Sequence, residues 1–385
     1  MTGDSRFSAY ADRTVLITGA TGFIGGRIAE RLALDHGAHV RALVRSFGRA
    51  ARLARLPVEL TYGELGDPAS LSAAVKGCDV VIHAAFDWRA DANNLAGITN
   101  LAEACLAHGV RRMVHMSTMA VYGTLPPGDF DEASLDTPFT AYAKSKVTLE
   151  QHLGTFVGER GLPAVVLQPT IVYGPFSLPW TDQPVRRLLA GKLVLPEDPQ
   201  GLCNAVYVDD VVDASLLAGL ATDAIGERFL ISGPDWPTWQ AMFESYAQVL
   251  GVDGPVLLPA AEIRRRNRTA GLTALRHSIH NPGELIRTLA KSTLRAPLMA
   301  LYRRLPQGKQ AGIRRLYTSR PSGGPVPVFL PNAQLFNLYT NLARARIDKA
   351  RQVLGYTPRF PAERGLAMTA EYIRWAYPCR DKAAA

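Results

Sequence analysis

Val15-Leu16-Ile17-Thr18-Gly19-Ala20-Thr21-Gly22-Phe23-Ile24-Gly25 decides how the rest of this 385-residue chain is read. The apolar run predicts a buried strand, the glycines at 19, 22 and 25 a tight turn, and the stretch Ile24 to Leu34 a helix. Gly19 permits the turn, Gly22 lets backbone approach a phosphate, and Gly25 lets the helix pack on the strand. Backbone of this shape lays a dinucleotide pyrophosphate on a helix N-terminus. Gly19, Thr21, Gly22, Phe23, Ile24 and Gly25 are therefore the first candidate binding residues.

Around that turn, apolar runs at Thr14–Thr18, His39–Val44, Val58–Tyr62, Asp79–His83, Arg112–Met116 and Ala164–Leu167 predict strands, with helical spacing between them. Leu101, Ala104 and Cys105 carry the helical period of one such segment, and Gly109 stops it. Alternation of this kind predicts an α/β fold with a doubly wound, Rossmann-type parallel sheet. After Gly174-Pro175 prolines punctuate loops and short helices, and residues 238–250 and 362–376 read as further helices. The expected organisation is a dinucleotide-binding domain over 1–168 and a smaller C-terminal α/β substrate lobe over 169–385. The lobe includes a basic helical insert over 262–325, and some of its segments return to the sheet.

The composition, 47% hydrophobic and 20% charged, is that of a globular protein with a sizeable core. Four scattered cysteines without Cys-x-x-Cys argue against a disulfide framework or a metal site and for a reducing, cytoplasmic compartment. No signal-peptide-like stretch opens the chain, and no run approaches the roughly 18 apolar residues of a membrane span. The net charge of +9 is local: Arg264 to Arg320 holds fourteen Lys or Arg against one acid, Glu284. Within it Arg287, Lys291 and Arg295 form a charged helical stripe, and Leu298, Leu301, Tyr302 and Leu305 an apolar one. Three readings compete for this insert: a lid or support helix, a peripheral membrane or acidic-lipid surface, and nucleic-acid binding. The last is not expected, because no recognised nucleic-acid module is present.

Tyr142 and Lys146 are four residues apart, so on a helix they leave the same face. A free phenol, with a pKa near ~10, is a poor base at neutral pH, and a neighbouring ammonium stabilises its phenolate. The pair is suited to moving a proton to or from a carbonyl or alcohol. Ser117-Thr118, at a predicted strand end, offers a hydroxyl to hold a substrate oxygen, although hydroxyl residues there also simply cap turns.

Together these residues resemble an extended short-chain dehydrogenase/reductase, of the NAD-dependent epimerase/dehydratase family. The resemblance is carried by Thr18–Gly25, His83-Ala84-Ala85, Asn94, Ser117-Thr118 through Tyr122-Gly123, Tyr142 with Lys146, Pro169 to Pro175, and Val208-Asp209-Asp210. It continues in Asp348-Lys349-Ala350 through Leu354 to Pro358, and covers roughly residues 13–260 and 344–376. It implies that Thr118 is the triad hydroxyl with Ser117 beside it, Tyr142 the acid/base, and Lys146 also a ligand of the nicotinamide ribose. It further implies Ala84, Ala85, Asn94 and Pro169 near the cofactor, Glu64-Leu65 in place of an Asp-hydrophobic pair at the adenine, and a homodimer as in many relatives.

NAD-preferring members place an acid at the end of the second strand, where this chain has Val44 followed by Arg45. Without that carboxylate, Arg45 is free to pair with a 2′-phosphate, helped by Arg41 and Arg49, so NADP is favoured over NAD. Met119-Ala120 replaces the Asp-Glu pair of family dehydratases, and Leu202 to Val206 lacks the cation that sugar-nucleotide members use. Gln168 to Phe176 resembles the ketone- and steroid-type reductases. The expected activity is hydride transfer between the nicotinamide and a carbonyl or secondary alcohol of a small molecule. A sugar epimerase with retained NAD and a non-catalytic dinucleotide sensor are the alternatives.

Overall fold

The computed structural model of the chain describes residues 4–88, 91–197, 200–266 and 330–378. They fall into two units, one of 1–189, 199–254 and 337–385, the other of 190–198 and 255–336.

The larger unit is organised by seven parallel strands. In chain order they are β1 (Thr14–Thr18), β2 (His39–Val44), β3 (Val58–Tyr62), β4 (Val80–His83), β5 (Arg112–Met116), β7 (Ala164–Pro169) and β11 (Arg228–Ile231). Their spatial order is β11-β7-β5-β4-β1-β2-β3, and every neighbouring pair is parallel. The order reverses direction at β1, whose two neighbours are β2 and β4; a crevice at the carboxyl ends opens at such a switch point. Strands covered on both faces need no polar alternation, hence the unbroken runs Val15-Leu16-Ile17 and Val80-Val81-Ile82, all fully buried.

The connecting helices are α1 (Phe23–Asp35), α2 (Pro68–Val75), α3 (Asp91–Ala107) and α4 (Ala141–Arg160). α4 starts where the Thr140 hydroxyl accepts from the Ala143 N–H at 3.1 Å and stops at Gly161, in the left-handed region. Further on come α5 (Gln183–Leu189), α6 (Val208–Leu220), α7 (Trp239–Leu250), α8 (Asp348–Leu354) and α9 (Ala362–Ala376). α6 is buried almost throughout and tied to α1 by charge: Arg27 grips Asp209 at 2.6 and 2.9 Å, and Arg31 stands 3.6 Å from Asp213. The Asp210 carboxylate accepts the backbone N–H groups of Arg359 and Phe360 at 2.7 and 3.2 Å, fixing the segment that leads into α9. Burial pushes that carboxyl up to about 7.

Short parallel pairs complete the unit: β6 (Gly128–Phe130) with β13 (Ala343–Ala345), and β8 (Ile171–Tyr173) with β10 (Ala205–Tyr207). In the smaller unit, β9 (Val194–Pro196) pairs in parallel with β12 (Val256–Leu258). Most of the basic insert, including both of its stripes, lies outside the described residues; at its start Arg265 and Arg266 pair with Glu262. No described helix is long and apolar enough to cross a membrane.

Candidate active site

The turn between β1 and α1 is shaped by backbone. Gly19 has φ +74°, and a Cβ there would sit 2.7 Å from the Ala84 carbonyl carbon. A Cβ on Gly25 would lie 2.5 Å from the Gly19 oxygen. Both positions require glycine, one for conformation and close approach, the other for helix–turn contact. α1 begins at Phe23 with Gly22 as its cap residue and no side-chain cap, so its first N–H groups face the cleft uncapped. Thr18 closes the floor: its hydroxyl bonds His83 Nδ1 at 2.7 Å and accepts the Ala85 N–H at 3.3 Å, fixing the strand end that carries Ala84 and Ala85.

A cleft of about 470 Å³ runs from this turn. At one end it is lined by Leu43, Arg45, Glu64 and Leu65, and in the middle by Gly19, Thr21, Gly22, Phe23, Ile24, Gly25, Ala84 and Ala85. At the other end stand Phe86, Trp88, Met116, Ser117, Tyr142 and Lys146. The turn and the Tyr-x-x-x-Lys pair, some 120 residues apart in sequence, thus share one cavity.

Three anticipated residues stand off the lining. Thr118 caps the short turn Met119–Tyr122, accepting the Ala120 N–H at 3.2 Å, and its side chain works to lower the Tyr142 phenol against burial. Pro169 closes β7 against Ile231 of β11. Asn94 is buried; its Oδ1 accepts the Asp87 N–H at 2.7 Å and its Nδ2 donates to the Asp87 carbonyl at 2.9 Å. It clamps the loop after β4, and it is Asn93 that lines the cleft. Arg41 differs from expectation too. Its guanidinium pairs with Glu59 at 2.9 Å and with the carbonyls of Ala74 and Lys76 at 2.8 and 2.9 Å, so it is held away from any 2′-phosphate. Arg45 is exposed and makes no ion pair among the described residues.

At the chemistry end, Tyr142 lies in the first turn of α4 and Lys146 one turn on. Burial pushes the phenol up to about 12, opposed by its hydrogen bond with Thr118. Lys146 is buried, donates to the Met116 carbonyl at 2.6 Å, and is pushed down by burial to about 8. Below it His83 and His115 stack at 5.2 Å; burial, then the lysine charge, pushes both down, to about 3 for His83, so both are neutral.

Sequence reasoning passed over two groups here. Glu150 continues the face of Tyr142 and Lys146 by one more turn, a spacing that could have flagged it. Its carboxylate accepts from the Ser117 hydroxyl and from Gln168 Nε2 at 2.9 Å, and its charge opposes the fall of Lys146. The second group is Phe86 and Trp88, two aromatics directly after His83-Ala84-Ala85, whose rings surround Tyr142.

Residues 15–232 match the model of the NAD dependent epimerase/dehydratase family, more than half of the chain. The chain belongs to this family. Among its relatives, the sterol demethylase protein B of Methylococcus capsulatus is 32% identical over 57% of this chain and 70% of that protein. A UDP-glucose 4-epimerase of Mycolicibacterium smegmatis is 33% identical over 56% of this chain and 75% of its own. The solved UDP-glucose 4-epimerase of Thermotoga maritima superposes with a TM-score of 0.66 at 22% identity, covering 94% of this chain and 99% of that one. That last likeness is one of fold. The family member described here is accordingly an enzyme of the NAD-dependent oxidoreductase and epimerase class.

Proposed function

We propose that this enzyme reduces a carbonyl group of a small molecule at the expense of NADPH, or runs the reverse oxidation. The observation that carries the reading is a buried phenol that keeps its proton at neutral pH, in one cleft with a glycine turn and an uncapped helix start. The cleft beside the glycine turn and the uncapped start of α1 suits a pyrophosphate, with Thr21, Gly22, Phe23 and Ile24 lining it, and Glu64 and Leu65 bordering the adenine end. Once bound, the nicotinamide supplies or receives a hydride.

The protein's own share is proton work. Tyr142 donates its phenolic proton to the substrate oxygen as negative charge develops there. Thr118, whose side chain acts on the Tyr142 phenol, orients that oxygen, with Ser117 fixed behind it by Glu150. Lys146, held by the Met116 carbonyl, places a positive charge where the departing proton leaves a phenolate. NADPH is favoured because β2 ends in Val44 rather than an acid, and Arg45, without an ion pair among the described residues, stands at that end of the cleft. The 33% identical epimerase relative favours a second reading, a sugar epimerase with resident NAD.

Denaturing the purified protein and identifying the nucleotide it releases separates the two. A reductase releases little, and then oxidises NADPH faster than NADH when offered a ketone. Near-stoichiometric NAD⁺ in the supernatant would overturn the reductase reading and the role of Arg45 together.

A further inference from the structure

Glu150 does not line the cleft. It lines a second cavity, of about 210 Å³, together with Asp136, Gly154 and Arg228. One hydrogen bond links the two spaces: Ser117, at the chemistry end of the cleft, donates its hydroxyl to the Glu150 carboxylate. Gln168 Nε2 donates to both carboxylate oxygens, at 3.0 and 2.9 Å, and its own oxygen accepts the Tyr122 hydroxyl at 2.5 Å. Gln168 and Tyr122 are fully buried, so these donors are fixed in turn. On the cavity side Arg228 stands 3.8 Å from Glu150. Its guanidinium is committed elsewhere, to Asp136 at 3.0 and 2.9 Å and to the Glu132 carbonyl at 2.8 Å. Burial pushes the Glu150 carboxyl up, and Ser117, Gln168 and Arg228 oppose that rise.

Two consequences reach Lys146. The first is mechanical. Lys146 Nζ donates at 2.6 Å to the Met116 carbonyl, which belongs to the peptide joining Met116 to Ser117. The N–H of that peptide donates to the Leu167 carbonyl at 2.7 Å, and the Ser117 side chain is tied to Glu150. The seat of the ammonium is therefore anchored on β7 and on Glu150. The second is electrostatic. Lys146 is buried among neutral groups: His83 and His115 below it, the Phe86 ring at 4.8 Å, and a Tyr142 that keeps its proton. A buried cation without a counter-charge tends to shed its proton. Glu150, one turn further along α4, is the acid whose charge works against that loss.

We infer that Glu150 is a positioning residue of the proton transfer. Through Ser117 it fixes the carbonyl on which Lys146 rests, and it supplies the counter-charge that keeps the ammonium in place one turn from Tyr142. It acts from the second cavity, behind the cleft, and through other residues. This inference rests on the Tyr142–Lys146 chemistry of the reading above and deepens it.

The test follows the Lys146 titration directly, by NMR of the full-length protein carrying isotope-labelled lysine, with the signal assigned by its loss in Lys146→Met. Glu150→Gln keeps an oxygen for the Ser117 hydroxyl and removes the charge. The Lys146 midpoint, about 8 in wild type, should then fall by roughly one pH unit. Glu150→Ala removes the carboxylate beside the second cavity. Its lowered midpoint should return toward wild type with sodium formate, and not with sodium chloride at equal ionic strength. In both variants the pH at which NADPH-dependent reduction of acetophenone falls away should move with the midpoint, while KM for the ketone stays within about twofold of wild type. An unmoved midpoint in Glu150→Gln, or chloride restoring Glu150→Ala as well as formate does, would overturn the role and leave the network a structural tie. Resident NAD⁺ sinks the carbonyl-reduction reading separately; the lysine titration needs no substrate and still decides Glu150.

Discussion

The two ends of the cleft are built from different materials. The proposed nucleotide end is made by what is missing: no side chain at 19 or 25, and no side-chain cap on α1. The chemistry end is made by side chains brought from three places, the end of β5, the face of α4 and the loop after β4. A site of backbone tolerates no added atom, because its walls are peptide groups that also hold the fold. A site of side chains tolerates truncation structurally and loses only the chemistry each group performs. Mutations at the two ends should therefore fail in different ways.

The largest effect falls on Tyr142→Phe. The phenyl ring keeps its stack on Trp88 and its edge contact with Phe86, and only the hydroxyl with its proton goes. Turnover should drop by about 10² to 10⁴-fold, with thermal stability and nucleotide affinity close to wild type. Steady-state kinetics beside a melting curve check this, and retained turnover would remove Tyr142 from the chemistry. Gly25→Ala should do the opposite. Its methyl meets the Gly19 oxygen at 2.5 Å, so either α1 or the turn must move. The expected cost is about 1–3 kcal/mol of stability, together with weakened nucleotide binding. Denaturant melts and a nucleotide titration read both losses; a full-affinity, fully stable Gly25→Ala would show that the turn is less constrained than its geometry indicates.

The same contrast governs how much could be read from sequence. The β1 turn was legible because glycine spacing is a direct record of backbone geometry. β1 and β4 were legible because strands buried on both faces hold unbroken apolar runs. β6 with β13, and β8 with β10, were not: each is three residues long, and the partner of β6 lies more than 200 residues further on, so no local period marks them. At the site, the juxtaposition of Tyr142 with the glycine turn was foreseeable from the family pattern. The commitment of Arg41 to Glu59 and of Asn94 to Asp87 was not, since both partners are known only once the chain has folded. Phe86 and Trp88 were passed over for a related reason. Two aromatics in a loop say nothing until their rings are seen against Tyr142.

The smallest predicted effect probes whether the chemistry end depends on charge as well as shape. Lys146 is pushed down to about 8 by burial, while the Tyr142 phenol at about 12 stays protonated across the accessible range. If the ammonium is needed, reductive kcat/KM falls as pH rises through 8, by about threefold between pH 7.5 and 8.5. Unfolding driven by this lysine would have the opposite sign. A lysine whose pKa is lower when folded than its usual ~10.4 leaves the unfolded state with more bound protons between the two values, so its linkage raises stability with pH there. Glu150 supplies a control within the structure, because its charge opposes the fall of Lys146. Glu150→Gln removes that opposition, so the break in the pH–rate profile should move to lower pH while the phenol and the glycine turn stay as they are. A profile flat through pH 8 in the wild type, or an unmoved break in Glu150→Gln, would mean that Lys146 acts by position alone and that its charge is incidental to the proton transfer.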